Sequence, residues 1–201
     1  CPICGSKAIQ FGDEVARKCI NAQCPAQVKQ RIEHWGDRNA MDIDGLGPKL
    51  LDKLVDQEII SNIGDLYTLK LEDLVSIERM GKKSSNNLLN QIEASKKQGL
   101  KRALYGLGID FVGKHIAHVL TDHYKNIDDL MAASKTALEN IDEIGPKIAE
   151  SVVTFFNEEK NKTLINRLRD HGVVMKSEKG EYQEFLEGKR FVFIGALNKY
   201  T

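Results

Sequence analysis

Apolar residues recur at intervals of three and four along most of the chain, the spacing that lines one face of an α-helix. The pattern predicts helices over Val28–Arg38, Leu50–Gln57, Leu71–Ser76, Ser84–Ser95, Leu100–Tyr105, His115–Tyr124, Ile127–Leu138, Ile148–Asn157 and Leu164–Asp170. A different pattern appears near the end, where Phe191-Val192-Phe193-Ile194 reads as a strand after the polar, linker-like stretch Lys176–Gln183. The expected class is therefore mostly α.

The junctions between these helices repeat. Gly47, Gly81, Gly113 and Gly145 stand 34, 32 and 32 residues apart. A period of this size signals stacked supersecondary units. The residues ending at each glycine are Ile43-Asp44-Gly45-Leu46-Gly47, Ile77-Glu78-Arg79-Met80-Gly81, Ile109-Asp110-Phe111-Val112-Gly113 and Ile141-Asp142-Glu143-Ile144-Gly145, or Ile, acid, any residue, apolar, Gly. Ile and the apolar residue are expected to point into the core. The acid is expected to bond hairpin amides. Lys49, Lys82 with Lys83, Lys114 and Lys147 follow within two residues, and Pro48 and Pro146 take the first helical position, where a missing N–H costs nothing.

Each unit thus reads as helix, tight turn, helix, with the glycine at the second helix's start. Glycine there is expected to permit φ > 0 and to leave backbone N–H groups uncovered, at the end where the helix dipole is positive. With a lysine beside it, this is a phosphate site. One copy would be only a good helix start with a solvated lysine. Four copies in register favour contact with a nucleic-acid backbone.

Composition narrows the picture. Net charge is zero, so any nucleic-acid contact must come from focused local groups and not from bulk attraction. Aromatics are only 6% of residues, which suits close-packed aliphatic helices better than a β-sandwich. No apolar run approaches a bilayer span and no signal-peptide pattern opens the chain, so a soluble, cytoplasmic protein is expected. Both ends read as cuts within a longer polypeptide.

All four cysteines fall early, as Cys1-Pro2-Ile3-Cys4 and Cys19 to Cys24. Two knuckles joined by a short hairpin can place four thiolates around one Zn²⁺. The rival reading, two disulfides of a secreted domain, is disfavoured by the lack of an export signal and of any other cysteine. Four thiolates leave no open coordination position, so the zinc would be structural. His115 and His118 lie three apart on one predicted helix, but no third ligand stands at matching spacing, and a second metal site is not expected.

The repeated Ile-acid-x-apolar-Gly run followed by lysine resembles the helix-hairpin-helix family, whose modules bind the DNA backbone without reading bases. Four in tandem after a four-cysteine zinc finger, with Cys24-Pro25-Ala26-Gln27 at the join, resemble the NAD-dependent DNA ligases of bacteria. Phe185 to Gly195 resembles the opening strand of a BRCT domain, with Ile194 where threonine is usual.

The resemblance implies a zinc finger at 1–28, a helix-hairpin-helix domain at 29–175, a linker at 176–184 and a truncated BRCT start at 185–201. It implies Zn²⁺ on Cys1, Cys4, Cys19 and Cys24, and DNA contacts at Gly45, Leu46, Gly47, Lys49, Gly81, Lys82, Lys83, Gly113, Lys114, Gly145 and Lys147. The partner implied is duplex DNA, nicked, bound by a monomer during replication and repair.

The family reaction adenylates an enzyme lysine from NAD with Mg²⁺, passes AMP to the 5′-phosphate of a nick, and lets the 3′-hydroxyl displace it. The motif Lys-x-Asp-Gly that carries the first step does not occur here, so no catalytic residue is expected in this chain. The second repeat departs from the family pattern. Arg79 stands where glycine is usual, either adding a phosphate contact or blocking one. Two other readings stay open: the hairpin domain of a repair nuclease or branch-binding protein, and an adaptor for protein partners.

Overall fold

The computed structural model describes residues 1–3, 5, 8–10, 17–19 and 25–177. Two short strands come first: Ala8–Gln10 (β1) and Arg17–Cys19 (β2), paired antiparallel with Ala8 opposite Cys19. The helices are Pro25–Gly36 (α1), Pro48–Asp56 (α2), Leu71–Val75 (α3), Lys82–Ser95 (α4), Leu100–Gly106 (α5), Lys114–His123 (α6), Ile127–Met131 (α7), Lys135–Glu139 (α8), Pro146–Asn157 (α9) and Glu159–Asp170 (α10), with a 3₁₀ helix at Ile63–Thr68.

Four differences from the predicted elements have local causes. The helix expected over Ile127–Leu138 is two, because the Ser134 hydroxyl accepts the Ala137 amide and starts α8 anew. Helix α10 begins five residues before its expected start, in a turn too polar to show a periodic apolar face. The 3₁₀ helix, not expected, is closed by Asn62, whose side chain accepts the Gly64 amide while Asp65 accepts the amide of Asn62. Helix α1 starts at Pro25 and runs across the expected boundary at residue 28.

The expected linker is anchored at its first residues. The Leu100 amide donates to the Lys176 carbonyl at 3.2 Å, and the Ser177 amide donates to the Lys125 carbonyl at 2.8 Å. The rest of that linker and the expected BRCT strand lie outside the described residues.

Packing follows the repeat. Helices pair as α1 with α2, α3 with α4, α5 with α6, and α8 with α9. Ile43, Ile77, Ile109 and Ile141 are all buried, as are Leu46, Val112 and Ile144, while Met80 is half-buried against the core. These residues pin the two helices of each unit together, as their spacing predicted.

Trp35 on α1 is fully buried and donates from its indole to the Tyr67 hydroxyl at 3.0 Å, which in turn meets Ser95 of α4. Gly106 lets α5 approach this core closely: a Cβ there would stand 2.9 Å from the Trp35 ring and 3.2 Å from Ala40 Cβ.

Candidate nucleic-acid interface

All four junctions are the same turn. The amide of the apolar residue donates to the carbonyl of the isoleucine three before it: Leu46 to Ile43 at 3.4 Å, Met80 to Ile77 at 3.0 Å, Val112 to Ile109 at 3.0 Å and Ile144 to Ile141 at 3.1 Å. The third residue of each turn is left-handed, with φ of 87° at Gly45, 72° at Arg79, 65° at Phe111 and 68° at Glu143. That is the position where a type II turn demands φ > 0.

The glycines that end the motif do not serve the purpose expected of them. Gly47, Gly81, Gly113 and Gly145 have φ of −82°, −86°, −76° and −82°, ordinary extended backbone open to any residue. Left-handed geometry belongs two residues earlier, where three of the four residues are not glycine.

Nor does packing call for those glycines. A Cβ added at Gly47, Gly81, Gly113 or Gly145 would meet no atom within 4 Å. Each is the N-cap of a helix, α2, α4, α6 and α9, and supplies no side-chain cap. Side chains cap α7 through Asn126 and α8 through Ser134, whereas α3, α5 and α10 share with the hairpin helices the lack of a side-chain cap. Serine or asparagine would stabilise each of the four hairpin helices by a few tenths of a kcal/mol more than glycine does. The glycines therefore leave bare backbone at the helix starts facing outward, in the geometry that receives an anion, although the Gly81 amide is held by Ser84 Oγ at 3.1 Å.

The cations beside them form no salt bridge among the described residues. Lys49, Lys82, Lys83, Lys114 and Lys147 are exposed. Among the described residues none of them makes an ion pair, while Lys29, Lys53, Lys96, Lys135 and Lys162 all do. Lys114 extends over the Tyr105 ring, 5.9 Å from its centre. Leu46 is buried, so its side chain is unavailable to a partner, and its amide is spent on the turn.

The acids divide. Asp44 and Asp142 accept the next residue's amide, at 2.9 and 3.2 Å, as expected. Glu78 instead pairs with Lys53 at 3.4 Å, and Asp110 is held through its carbonyl, which accepts from Ser151 Oγ at 2.7 Å.

The hairpins interlock in two reciprocal pairs, which local periodicity could not reveal. The first hairpin brings Gly45 toward Leu88 of α4, and the second gives the Glu78 carbonyl to Lys53 of α2 at 2.9 Å. The third is tied to α9 by Ser151, and the fourth gives the Glu143 carboxylate to His115 of α6 at 2.6 Å. The second, third and fourth turns are thus each bonded to the second helix of their partner unit. His118 sits 3.5 Å from Asp122, and no group of three or more metal-ligating side chains occurs among the described residues.

Of the cysteines, Cys4 and Cys24 lie outside the described residues. The described backbone at Cys1, Gly5 and Cys19 fits a zinc knuckle. The Gly5 amide donates to the Cys1 carbonyl at 2.9 Å with φ of 68°, turning the chain back as a Cys-x2-Cys loop requires. The β1–β2 pairing then returns the chain to Cys19.

Residues 1–26 match the NAD-dependent DNA ligase C4 zinc finger domain. Residues 37–94 match a SAM-like helix-hairpin-helix tandem, and residues 102–165 a helix-hairpin-helix motif. The whole chain aligns with DNA ligases at 46% identity in a Thermoanaerobacter species, 44% in Halothermothrix orenii and 43% in Geobacter metallireducens. The chain is a segment of the NAD-dependent DNA ligase family. It spans 30% of the Thermoanaerobacter and Geobacter ligases and 31% of the Halothermothrix one.

The two helix-hairpin-helix matches in this ligase segment divide it where the structure does. One covers the interlocked first and second hairpins, the other the third and fourth. Sequence reasoning missed the shared left-handed position in the ligase hairpins, because four chemically unrelated residues occupy it.

Proposed function

We propose that this chain grips duplex DNA by its phosphates, on behalf of a ligase that seals nicks during replication and repair. Four helix-hairpin-helix repeats carry the grip, through the backbone at Gly47, Gly81, Gly113 and Gly145 and the ammonium groups of Lys49, Lys82, Lys83, Lys114 and Lys147, while the amides of Gly45 and Leu46 are spent within the first turn. The carrying observation is that the four glycines at helix starts answer neither a positive-φ nor a packing need within the chain. Arg79 at the second turn is exposed but lies 3.6 Å from the Glu78 carboxylate, which offsets its charge.

The zinc finger at 1–28 precedes the helix-hairpin-helix domain at 29–175. Cys1, Cys4, Cys19 and Cys24 would hold a Zn²⁺ that fixes the finger's fold. NAD and Mg²⁺ serve adenylation by residues outside this chain. Residues 176–184 link to a BRCT start at 185–201. We place the protein in the bacterial cytoplasm as a monomer; among the described residues no helix is long and apolar enough to cross a membrane.

Fluorescence anisotropy on two unrelated nicked duplexes tests the grip. Affinities should agree within about tenfold, and log K should fall with log salt at about −4.5 if five lysines each neutralise one phosphate at about −0.9 apiece. A salt-independent affinity, or a larger preference for one sequence, would contradict backbone recognition. Metal analysis should find about one zinc per chain, and Cys19→Ser should release it and melt the finger while the hairpins stay folded. Cysteines recovered as disulfides would exclude this.

A further inference from the structure

We infer that Phe111, at the tip of the third hairpin, is a DNA-contacting residue that lays its ring against a deoxyribose of the strand whose phosphate the hairpin holds. This rests on the backbone-gripping role proposed above and adds to it an apolar contact that no charge pattern would reveal.

The position is unfavourable twice over. Phe111 holds φ of 65°, where a bulky side chain is strained and glycine is the natural occupant. The residue is also 62% exposed, one of three exposed large hydrophobics among the described residues. A scattered exposed apolar residue on ordinary backbone would need no explanation. An aromatic ring held outward from a left-handed turn does.

The hairpin presents this ring rigidly. Its turn is closed by the Val112 amide on the Ile109 carbonyl, and Asp110 is clamped by Ser151 Oγ. Val112 beneath it is buried, so the ring cannot be exchanged into the core without opening the turn.

The surroundings identify the occupant. Two residues on is Gly113, the bare helix start of α6, followed by the exposed Lys114, which makes no salt bridge among the described residues. A surface that offers an anion site and an apolar ring within four residues matches a nucleic-acid strand, whose phosphates alternate with the apolar faces of its sugars. The equivalent tips carry no such ring: Gly45 has no side chain, Arg79 is a cation and Glu143 is paired with His115. The third hairpin is thus chemically set apart.

Affinity for a nicked duplex, measured across a salt series for the unaltered chain, Phe111→Ala, Phe111→Leu and Lys114→Ala, tests the assignment. Phe111→Ala should fold normally and weaken binding about tenfold with the salt slope unchanged, because a sugar contact releases no counterion. Phe111→Leu should recover part of the loss. Lys114→Ala should instead reduce the slope by about one unit.

Duplexes carrying 2-aminopurine near the nick should brighten equally with the unaltered chain and Phe111→Ala. A brightening that requires Phe111 would replace the sugar contact with intercalation and overturn the inference as stated. Unchanged affinity in Phe111→Ala would also overturn it while leaving the backbone reading intact. So would a chain that self-associates through Phe111 and binds DNA equally well without it. Absence of DNA binding by the unaltered chain would instead sink the backbone reading itself.

Discussion

Changing Lys49, Lys82, Lys83, Lys114 and Lys147 together to alanine should reduce DNA affinity by roughly 10³-fold or more near physiological salt, at about 1 kcal/mol per phosphate contact. The salt slope should shrink toward zero by about 4.5 units over the same series. The fold should survive, because all five side chains are exposed and none makes an ion pair among the described residues. Net charge does not confound the result in the unaltered chain, where basic and acidic residues number 29 each. A folded variant that keeps its affinity would make the hairpins scaffold and favour the adaptor reading.

The largest stability effect is expected away from the hairpins. Asp65 of the 3₁₀ helix accepts from the Ser61 amide at 2.7 Å, the Ser61 hydroxyl at 2.8 Å and the Asn62 amide at 3.0 Å, and pairs with Arg167 of α10 at 2.6 Å. Partial burial alone would raise its pKa. The donors from Ser61 and the Arg167 guanidinium outweigh it, and the carboxyl is held below its ordinary value.

Because the folded pKa lies below the unfolded one, the stabilisation is fully present above the unfolded value of about 4 and is lost as pH falls through the folded pKa. Asp65→Ala would strand several donors and the half-exposed Arg167 charge. A loss of about 2–3 kcal/mol in urea unfolding at neutral pH is expected. Asp65→Asn should lose less, and its stability should depend less on pH in acid. A loss under about 1 kcal/mol for the alanine variant would mean that α10 is held by packing alone.

Much of the architecture could be read from apolar spacing. The inward isoleucines and the helix starts after each glycine are local features, and local features leave periodic traces. What could not be read was the division of labour inside each turn. Glycine was expected to supply the left-handed residue, but Gly45, Arg79, Phe111 and Glu143 do so, and nothing in their chemistry announces a shared conformation.

The reciprocal locking of hairpins was equally hidden, since Lys53 with Glu78, Ser151 with Asp110 and His115 with Glu143 join residues 25 to 41 positions apart. The 3₁₀ helix could have been anticipated. Asn62 and Asp65 stand at capping-box spacing before a buried apolar run.

The central claim is that the hairpin glycines are kept bare for a partner outside the chain. It is tested most directly by the DNA affinity of a variant with Gly47, Gly81, Gly113 and Gly145 all changed to alanine. With φ near −80° and no atom within 4 Å of any added Cβ, the variant should melt close to the unaltered chain. The loss of a good N-cap is offset by lower unfolded-chain entropy. By contrast, Gly106→Ala, whose Cβ would press on Trp35 at 2.9 Å, should cost about 1–3 kcal/mol and leave the affinity of the folded fraction unchanged. The quadruple variant should bind nicked duplex about 100-fold or more weakly at every salt concentration. A fully folded quadruple variant with undiminished affinity would contradict the account.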